Sequence, residues 1–358
     1  MSPKADLQFL ALLVHRGHLE RSDAETLVPR LQGGEELDDL LIDVLGREET
    51  WVAKMRRTQA GEIPEIPGYE VLGRAGRGGT ADVFRARDKK TGKILALKVL
   101  NPEATRTPAT RKAFIQESKL LEQLDHTGLV GGFGVARSGQ TYFTRMEFVD
   151  GSTLLEILDQ GTALEEAPAL RIILEASEVL RYLHSQGVIH RDVKPGNIML
   201  SANGRVKLID LGFAAEEEAA PANPTDSAVG TVAYLSPEQA QGGASADLRS
   251  DIYSLGVTLF QLVVGRLPFE GSDDRDTLRK QIMESLSSPE LKGRKLSPHL
   301  HYFVEKMMAK DKDVRYQSWE ELIADIQGQL KGREDLDYRQ GASSRHVRRR
   351  GPSSGRRR

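Results

Sequence analysis

The 358-residue chain contains no cysteine. Disulfides, thiolate metal sites and cysteine nucleophiles are therefore excluded, and the composition suits a reducing compartment. A net charge of consequence is missing too, with 50 basic residues against 52 acidic ones. Whole-chain electrostatics thus names neither nucleic acid nor membrane as partner. There is no long hydrophobic run. The longest, Leu255 to Val264, is interrupted by Gln261 and is too short to span a bilayer. The N-terminal "LQFLALLV" follows Asp6, runs into His15 and Arg16, and has no small-residue cleavage site behind it. A signal peptide is not expected. These absences predict a soluble, cytoplasmic protein without a transmembrane segment.

What is present is enough apolar material, 39% of residues, for a sizeable core, and length for two or three domains. Residues 5–59 read as helical. "FLALLV" (9–14) and "LDDLLI" (37–42) share one apolar pattern, and each helix runs into a glycine, Gly17 and Gly46. Ser22 and Glu25 have capping-box spacing, which predicts a helix start there. This 1–60 module resembles the helical N-terminal module of secretion ATPases, although unrelated amphipathic helices give the same pattern.

"GEIPEIPGYE" (61–70) carries two prolines and two glycines, so 61–68 reads as a linker. Strand signals follow in "YEVLG", "ADVFRA" and "ILALKVL", then a helix at 111–124 and strands near 128–135 and 141–148. Helices are expected at 165–186, 250–265, 274–285, 297–309 and 317–330. Strands followed by helices predict an α+β chain with two lobes, over about 69–331. From 332 to 358 the composition turns to Gly, Ser and Arg and predicts a disordered tail. Arg345, Arg348, Arg349, Arg350, Arg356, Arg357 and Arg358 crowd it; an acidic partner, nucleic acid or no partner at all is compatible with that charge.

Several stretches carry chemistry. In "GRGGTADVF" (76–84) the glycines would let backbone N–H groups approach phosphates, though many hairpins have such a turn. Lys98 alternates with apolar neighbours in "LALKVL" and could merely face solvent. The helix from Arg111 argues otherwise. Phe114, Glu117, Leu121 and Leu124 share its apolar stripe, so Glu117 needs a buried cationic partner. Lys98 is the natural one, and the pair would hold a lysine where a triphosphate could bind. Downstream, "VIHRDVKPGNIML" (188–200) packs polar groups between apolar flanks, as loops holding chemistry do. In "KLIDLGFA" (207–214) Asp210 ends a strand. Asp192, Asn197 and Asp210 are oxygen donors suited to Mg²⁺.

With "GTVAYLSPE" (230–238), "SDIYSLG" (250–256) and "KDVRYQS" (312–318), the chain resembles the eukaryotic-type protein kinase family, closest in style to bacterial Ser/Thr kinases. The resemblance covers about 69–330. It implies a two-lobed protein kinase fold and transfer of the ATP γ-phosphate, with Mg²⁺, to Ser/Thr hydroxyls of protein substrates in signalling. By resemblance, Gly76, Gly78 and Gly79 cover the phosphates and Val83 packs on adenine. Lys98, oriented by Glu117, holds the α- and β-phosphates. Met146 precedes a hinge where the Glu147 and Val149 backbone would bond adenine. Asp192 orients the substrate hydroxyl, Lys194 neutralises the transferring group, and Asn197 and Asp210 hold the metal.

Two positions depart from the pattern: Ala81 replaces the third glycine, and Leu211 the usual Phe after the metal-binding Asp. Asp251 resembles the family's buried anchor of the catalytic loop, and Glu238 with Arg315 its buried ion pair. His190 reads as structural. "HLH" at 299–301 is not read as a metal site, for want of a third ligand. Lys194 and the Gly230–Thr231 pair imply Ser/Thr rather than Tyr specificity. Arg191 would receive a phosphate on Thr225 or Ser227, placed by trans-autophosphorylation between copies, while Thr231 would face substrate. Glu216, Glu217 and Glu218 are the rival source of that charge. A pseudokinase scaffold that only binds nucleotide is the alternative. A small-molecule phosphotransferase is disfavoured by the "GTVAYLSPE" segment.

Overall fold

A computed structural model describes residues 3–59, 63–161, 163–211, 215–216, 231–242, 246–286 and 296–346. The chain divides into two compact units: residues up to Gly78 with Asp82–Leu97, and Gly79–Ala81 with everything from Lys98 onward.

The first unit begins with four helices, α1 (Pro3–His15), α2 (Arg21–Gln32), α3 (Leu37–Asp43) and α4 (Glu49–Gln59). Their apolar stripes meet in one core that includes Phe9, Leu13, Leu27, Leu40 and Val52. The glycines that end α1 and follow α3 do so because the chain turns left-handed there, with φ of 71° at Gly17 and 62° at Gly46. The expected capping box at Ser22 does not form. α2 starts at Arg21 without a side-chain cap, and Glu25 instead accepts a 3.1 Å bond from Arg21, one turn away. Arg56 of α4 bonds Asp6 (2.6 Å) and Asp38 (2.8 Å) and lies over the Phe9 ring.

The described part of the linker, from Ile63 on, packs on this unit. Ile63 and Ile66 are buried, and Glu65 pairs with Arg16 and His18, each at 3.0 Å. Next come β1 (Tyr69–Arg77) and β2 (Ala81–Asp88), antiparallel, with register shifts between Val71 and Gly73 and between Arg74 and Gly76. Glu70 of β1 accepts from Arg87 of β2 at 2.9 Å and from Lys54 of α4 at 3.5 Å.

β3 (Ile94–Leu100) follows, and in the second unit β4 (Gly132–Ser138) and β5 (Thr141–Glu147) pair antiparallel, with Gly132 opposite Met146. The second unit continues through α5 (Pro102–Arg106) and α6 (Pro108–Gln123). α6 begins three residues before the expected Arg111 because Pro108 at its first position fits a helix start. Beyond β5 lie β6 (Gly151–Thr153), α7 (Leu154–Asp159), α8 (Glu166–Ser185), β7 (Val188–Ile189), β8 (Ile198–Ser201), β9 (Val206–Leu208) and β10 (Ala215–Glu216). The helices α9 (Pro237–Ala240), α10 (Leu248–Val264), α11 (Asp274–Met283), α12 (Pro298–Met307) and α13 (Trp319–His346) complete it. Strands followed by helices are the α+β order that the sequence predicts.

α10 is apolar on nearly every side, and almost all of it is buried, as expected of a helix at the centre of a core. α13 runs on to His346, past the residue 332 at which the sequence predicts disorder. Lys331, Arg333, Glu334 and Leu336 all favour helix by intrinsic preference. Residues 347–358 lie outside the described residues. Among the described residues, no helix is long and apolar enough to cross a membrane.

Candidate active site

Lys98 projects from β3 and Glu117 from α6, and their charged atoms lie 2.6 Å apart. Lys98 also donates to Asp210 Oδ1 at 3.1 Å. Burial lowers the lysine's pKa, but Asp210 and Glu117 together outweigh it and hold Lys98 charged, above its ordinary range. Burial pushes Glu117 up to about 7, with Lys98 pulling the other way. Thus the pairing inferred from a helical stripe is present, and a second carboxylate, 112 residues downstream, shares the lysine.

The loop after β7 is built around Asp192, which is buried. Lys194 Nζ lies 3.0 Å from its Oδ1 and 2.8 Å from its Oδ2. Asn197, in the short 3-10 turn Pro195–Asn197, donates its amide nitrogen to Asp192 O (2.8 Å) and Oδ2 (2.9 Å). Of that side chain's two polar ends, only the amide oxygen could take a cation. The loop's backbone is strained at Arg191, with φ of 65°, the one left-handed non-glycine among the described residues. Asp251 at the start of α10 stabilises it, accepting the N–H groups of His190 (2.9 Å) and Arg191 (2.8 Å). The His190 ring is fully buried and its Nδ1 accepts the Asp192 N–H at 3.2 Å. It orients the loop.

Asp210 follows β9, and the bond from Ile209 N to Asn197 O (3.0 Å) brings its strand alongside the Asp192 loop. Leu211 is buried, so the leucine that replaces the expected phenylalanine fills an apolar site. Glu147, at the end of β5, is held by a 2.8 Å bond from its N–H to Gly131 O. Its carboxylate takes Lys207 at 2.7 Å, a contact with no sequence signal. Val149 lies two residues on, half-buried.

Gly76, Gly78 and Val83 belong to the first unit and Gly79 to the second. A Cβ at Gly79 would meet open space, and one at Gly76 only Val83 at 3.9 Å. The fold itself therefore does not require glycine at these two positions. Ala81 is buried with Leu100 and Phe114, which gives its methyl group a packing role.

Glu238 accepts from Arg315 at 2.7 and 2.9 Å and from Ser250 at 2.6 Å. Sequence reasoning missed Gln239, whose side chain donates to Arg191 O at 2.9 Å, and Gln281, whose side chain donates to Ala233 O. Both glutamines tie the 231–239 segment in place. Their partners are 48 residues away, so no local pattern announces them. Thr225, Ser227, Glu217 and Glu218 lie outside the described residues, and nothing is described of the side chains of Glu216 and Thr231.

A strand-rich sheet carrying a buried lysine–glutamate pair, followed by a helical part that carries an Asp–Lys–Asn loop and a second aspartate, defines a class. Residues 69–325 match the protein kinase domain family, and the chain belongs to it. It is 36% identical over 273 residues to a probable serine/threonine-protein kinase of Streptomyces coelicolor, covering 74% of this chain and 40% of that protein. It is 35% identical over 264 residues to the serine/threonine-protein kinase PknB of Mycobacterium tuberculosis, covering 72% and 42%. The match to the probable kinase PknB of Lactococcus lactis is also 35%, over 259 residues, covering 72% and 41%. The matched region spans about two fifths of each of these relatives.

Proposed function

We propose that this chain is a protein serine/threonine kinase, which transfers the ATP γ-phosphate to Ser or Thr hydroxyls of protein substrates, itself included. The observation that carries the reading is Lys98 held between Glu117 and Asp210 in the same unit as an Asp192 ordered by Lys194 and Asn197. Phosphoryl transfer needs positioning and charge neutralisation more than covalent help. A fixed, protonated lysine supplies positive charge for the nucleotide's phosphates. Glu117 keeps that lysine from swinging away. Gly76, Gly78 and Gly79 would let backbone N–H groups approach phosphates, and the lack of a fold-imposed reason for glycine at 76 and 79 supports that role. Val83 and the backbone at Glu147 and Val149 would receive the adenine.

Asp192 would orient the attacking hydroxyl and receive its proton, with Lys194 beside it to offset charge building on the transferring group. Asn197 and Asp210 offer one amide oxygen and one carboxylate, a donor set that fits Mg²⁺ completed by phosphates and water. Bound there, Mg²⁺ would neutralise phosphate charge. We place the protein in cytoplasmic signalling, in keeping with the absence of cysteine and of any membrane-crossing helix among the described residues. Trans-autophosphorylation at Thr225 or Ser227, read by Arg191, is proposed as its control. The acidic partner suggested for the Arg-rich tail stays a proposal of the same kind.

The test is purified chain with γ-labelled ATP, Mg²⁺ and a generic protein acceptor, followed by phospho-residue mapping. Phosphoserine and phosphothreonine, on acceptor and on residues 225 or 227, are expected. Nucleotide binding without any transfer would instead establish the scaffold alternative.

A further inference from the structure

Lys310, just past α12 in the second unit, stands at the head of a chain of hydrogen bonds. Its Nζ donates to Tyr253 Oη of α10 at 3.0 Å and to Gln281 O of α11 at 2.6 Å, with Lys280 O at 3.5 Å. Tyr253 Oη donates in turn to Gln281 Oε1 at 2.5 Å, and Gln281 Nε2 donates to Ala233 O. Tyr253 and Gln281 are wholly buried, and Ala233 nearly so. The far end of the chain is therefore the backbone of the 231–239 segment, whose Gln239 bonds Arg191 O beside Asp192.

The direction of these bonds depends on the lysine's charge. An ammonium has three donors and no acceptor, so Tyr253 accepts from it and keeps its own O–H for Gln281. That O–H fixes which end of the Gln281 amide faces Tyr253, and leaves the NH₂ end for Ala233 O. A neutral amine carries a lone pair. It can accept the Tyr253 O–H itself, and Gln281 Oε1 then loses the donor that orients it.

The surroundings bring that change into an accessible range. Among the described residues no carboxylate bonds Lys310; its company is two carbonyls, the Tyr253 hydroxyl and the Phe269 ring at 4.0 Å. Of the charged groups nearby, Arg315 lies over the Tyr253 ring and is paired with Glu238, while Lys280 Nζ turns to Glu270 O at 2.7 Å. Burial first, then the charge of Arg315, lowers the Lys310 pKa to about 8, with Glu284 beyond α11 pulling the other way. Burial pushes the Tyr253 phenol up, so it keeps its proton throughout.

We propose that Lys310 is a positioning residue for the acceptor substrate: through Tyr253 and Gln281, its positive charge holds the Ala233 backbone, and with it the segment beside Asp192, in the geometry that receives the acceptor chain. It touches no reacting group. The acceptor rests on the proposed kinase activity; the chain of bonds does not. Above about pH 8 the charge is lost and the segment loosens. Global stability moves the other way. A lysine whose folded-state pKa is lowered opposes folding while charged, so its discharge adds stability between about 8 and the ordinary 10.5. General unfolding cannot give that combination.

The experiment measures phosphotransfer by the full chain to dephosphorylated casein, a generic acceptor, at about pH 7 and pH 9. At pH 7, Lys310→Met should raise the acceptor KM roughly tenfold over wild type, with the KM for ATP unchanged. At pH 9 that ratio should fall towards one, because wild type has lost the same charge. Lys310→Arg stays charged and should bind acceptor better than wild type at pH 9. In urea unfolding, wild type should gain stability relative to Lys310→Met as pH rises past about 8. A ratio that did not change with pH, an ATP KM that rose in step, or a wild type that lost ground to Lys310→Met in alkali would overturn the proposal. Amide exchange without nucleotide or acceptor tests the bonds alone. At pH 7, Lys310→Met should exchange faster over 231–242 and equally over β3; equal exchange over 231–242 would overturn the proposal. Faster exchange there in a chain that transfers no phosphate would keep the positioning and sink the kinase reading instead.

Discussion

Arg315 and Glu238, 77 residues apart, meet as a two-pronged ion pair at 2.7 and 2.9 Å, with the arginine side chain wholly sealed from solvent. Arg315 also donates to Ala309 O, Arg249 O and Lys310 O, so its N–H groups are satisfied on several sides. A buried pair of this kind contributes little net stability against a well-packed apolar substitute, yet losing one partner strands the other charge. Glu238→Ala and Arg315→Met should each cost about 3–5 kcal/mol of unfolding free energy. The double variant should cost less than the sum of the two. Urea unfolding of all three variants measures this.

The same pair sets an acid limit. Burial pushes the Glu238 pKa up, but the bonds and charge of Arg315 and the bond from Ser250 outweigh it and hold it below the ordinary glutamate range. A depressed folded-state pKa means that its stabilisation is present above the unfolded value and is lost as pH falls through the folded one. Between neutral pH and roughly pH 4, wild type should stay ahead of Glu238→Gln, and the gap should close in stronger acid. A gap that widened on acidification would contradict this assignment.

The charged groups of the candidate site should separate chemistry from folding. Lys98→Met and Asp210→Asn should lower phosphotransfer at least about 10²-fold with thermal unfolding little changed, because in the proposed function one would remove a phosphate ligand and the other a metal ligand. Asp192→Asn should cost a similar factor while ATP still binds. Steady-state rates with parallel nucleotide titrations decide it.

The strained Arg191 backbone leads to a prediction about positioning. Asp251 touches no reacting group; its carboxylate takes two successive N–H groups and so stabilises the left-handed residue next to Asp192. Asp251→Ala should lower kcat by up to about 10²-fold with the KM for ATP nearly unchanged, since an ångström-scale shift of Asp192 is enough. Loss of ATP affinity in step with kcat would show general unfolding of the site instead.

Much of this was legible beforehand because the chemistry sits in short, contiguous stretches. The loop "HRDVKPGN" already contains Asp192, Lys194 and Asn197, and each bonds another member within five residues. Glu117 declared itself as a carboxylate on an apolar stripe, which needs a cation wherever the helix packs. Helix positions followed from the same periodicity, with ends displaced where a local device intervened, as Pro108 does at α6. The Ser22 capping box failed because α2 already begins at Arg21, which puts Ser22 inside the helix, and spacing alone does not fix where a helix starts.

The sequence by itself determined which residue types could hold phosphate, metal and a hydroxyl, because those demands are met by chemical identity in fixed local order. Only the tertiary structure decided what lies between distant segments. It gave Lys98 its second carboxylate, Arg191 O its bond from Gln239, and Ala233 O its bond from Gln281. It also set Lys310, an ordinary lysine in the sequence, against Tyr253 behind that second glutamine. The physical reason is that charge and hydrogen bonding act over a few ångströms of space. The chain brings such partners together only after its apolar core has fixed where each helix and strand must lie.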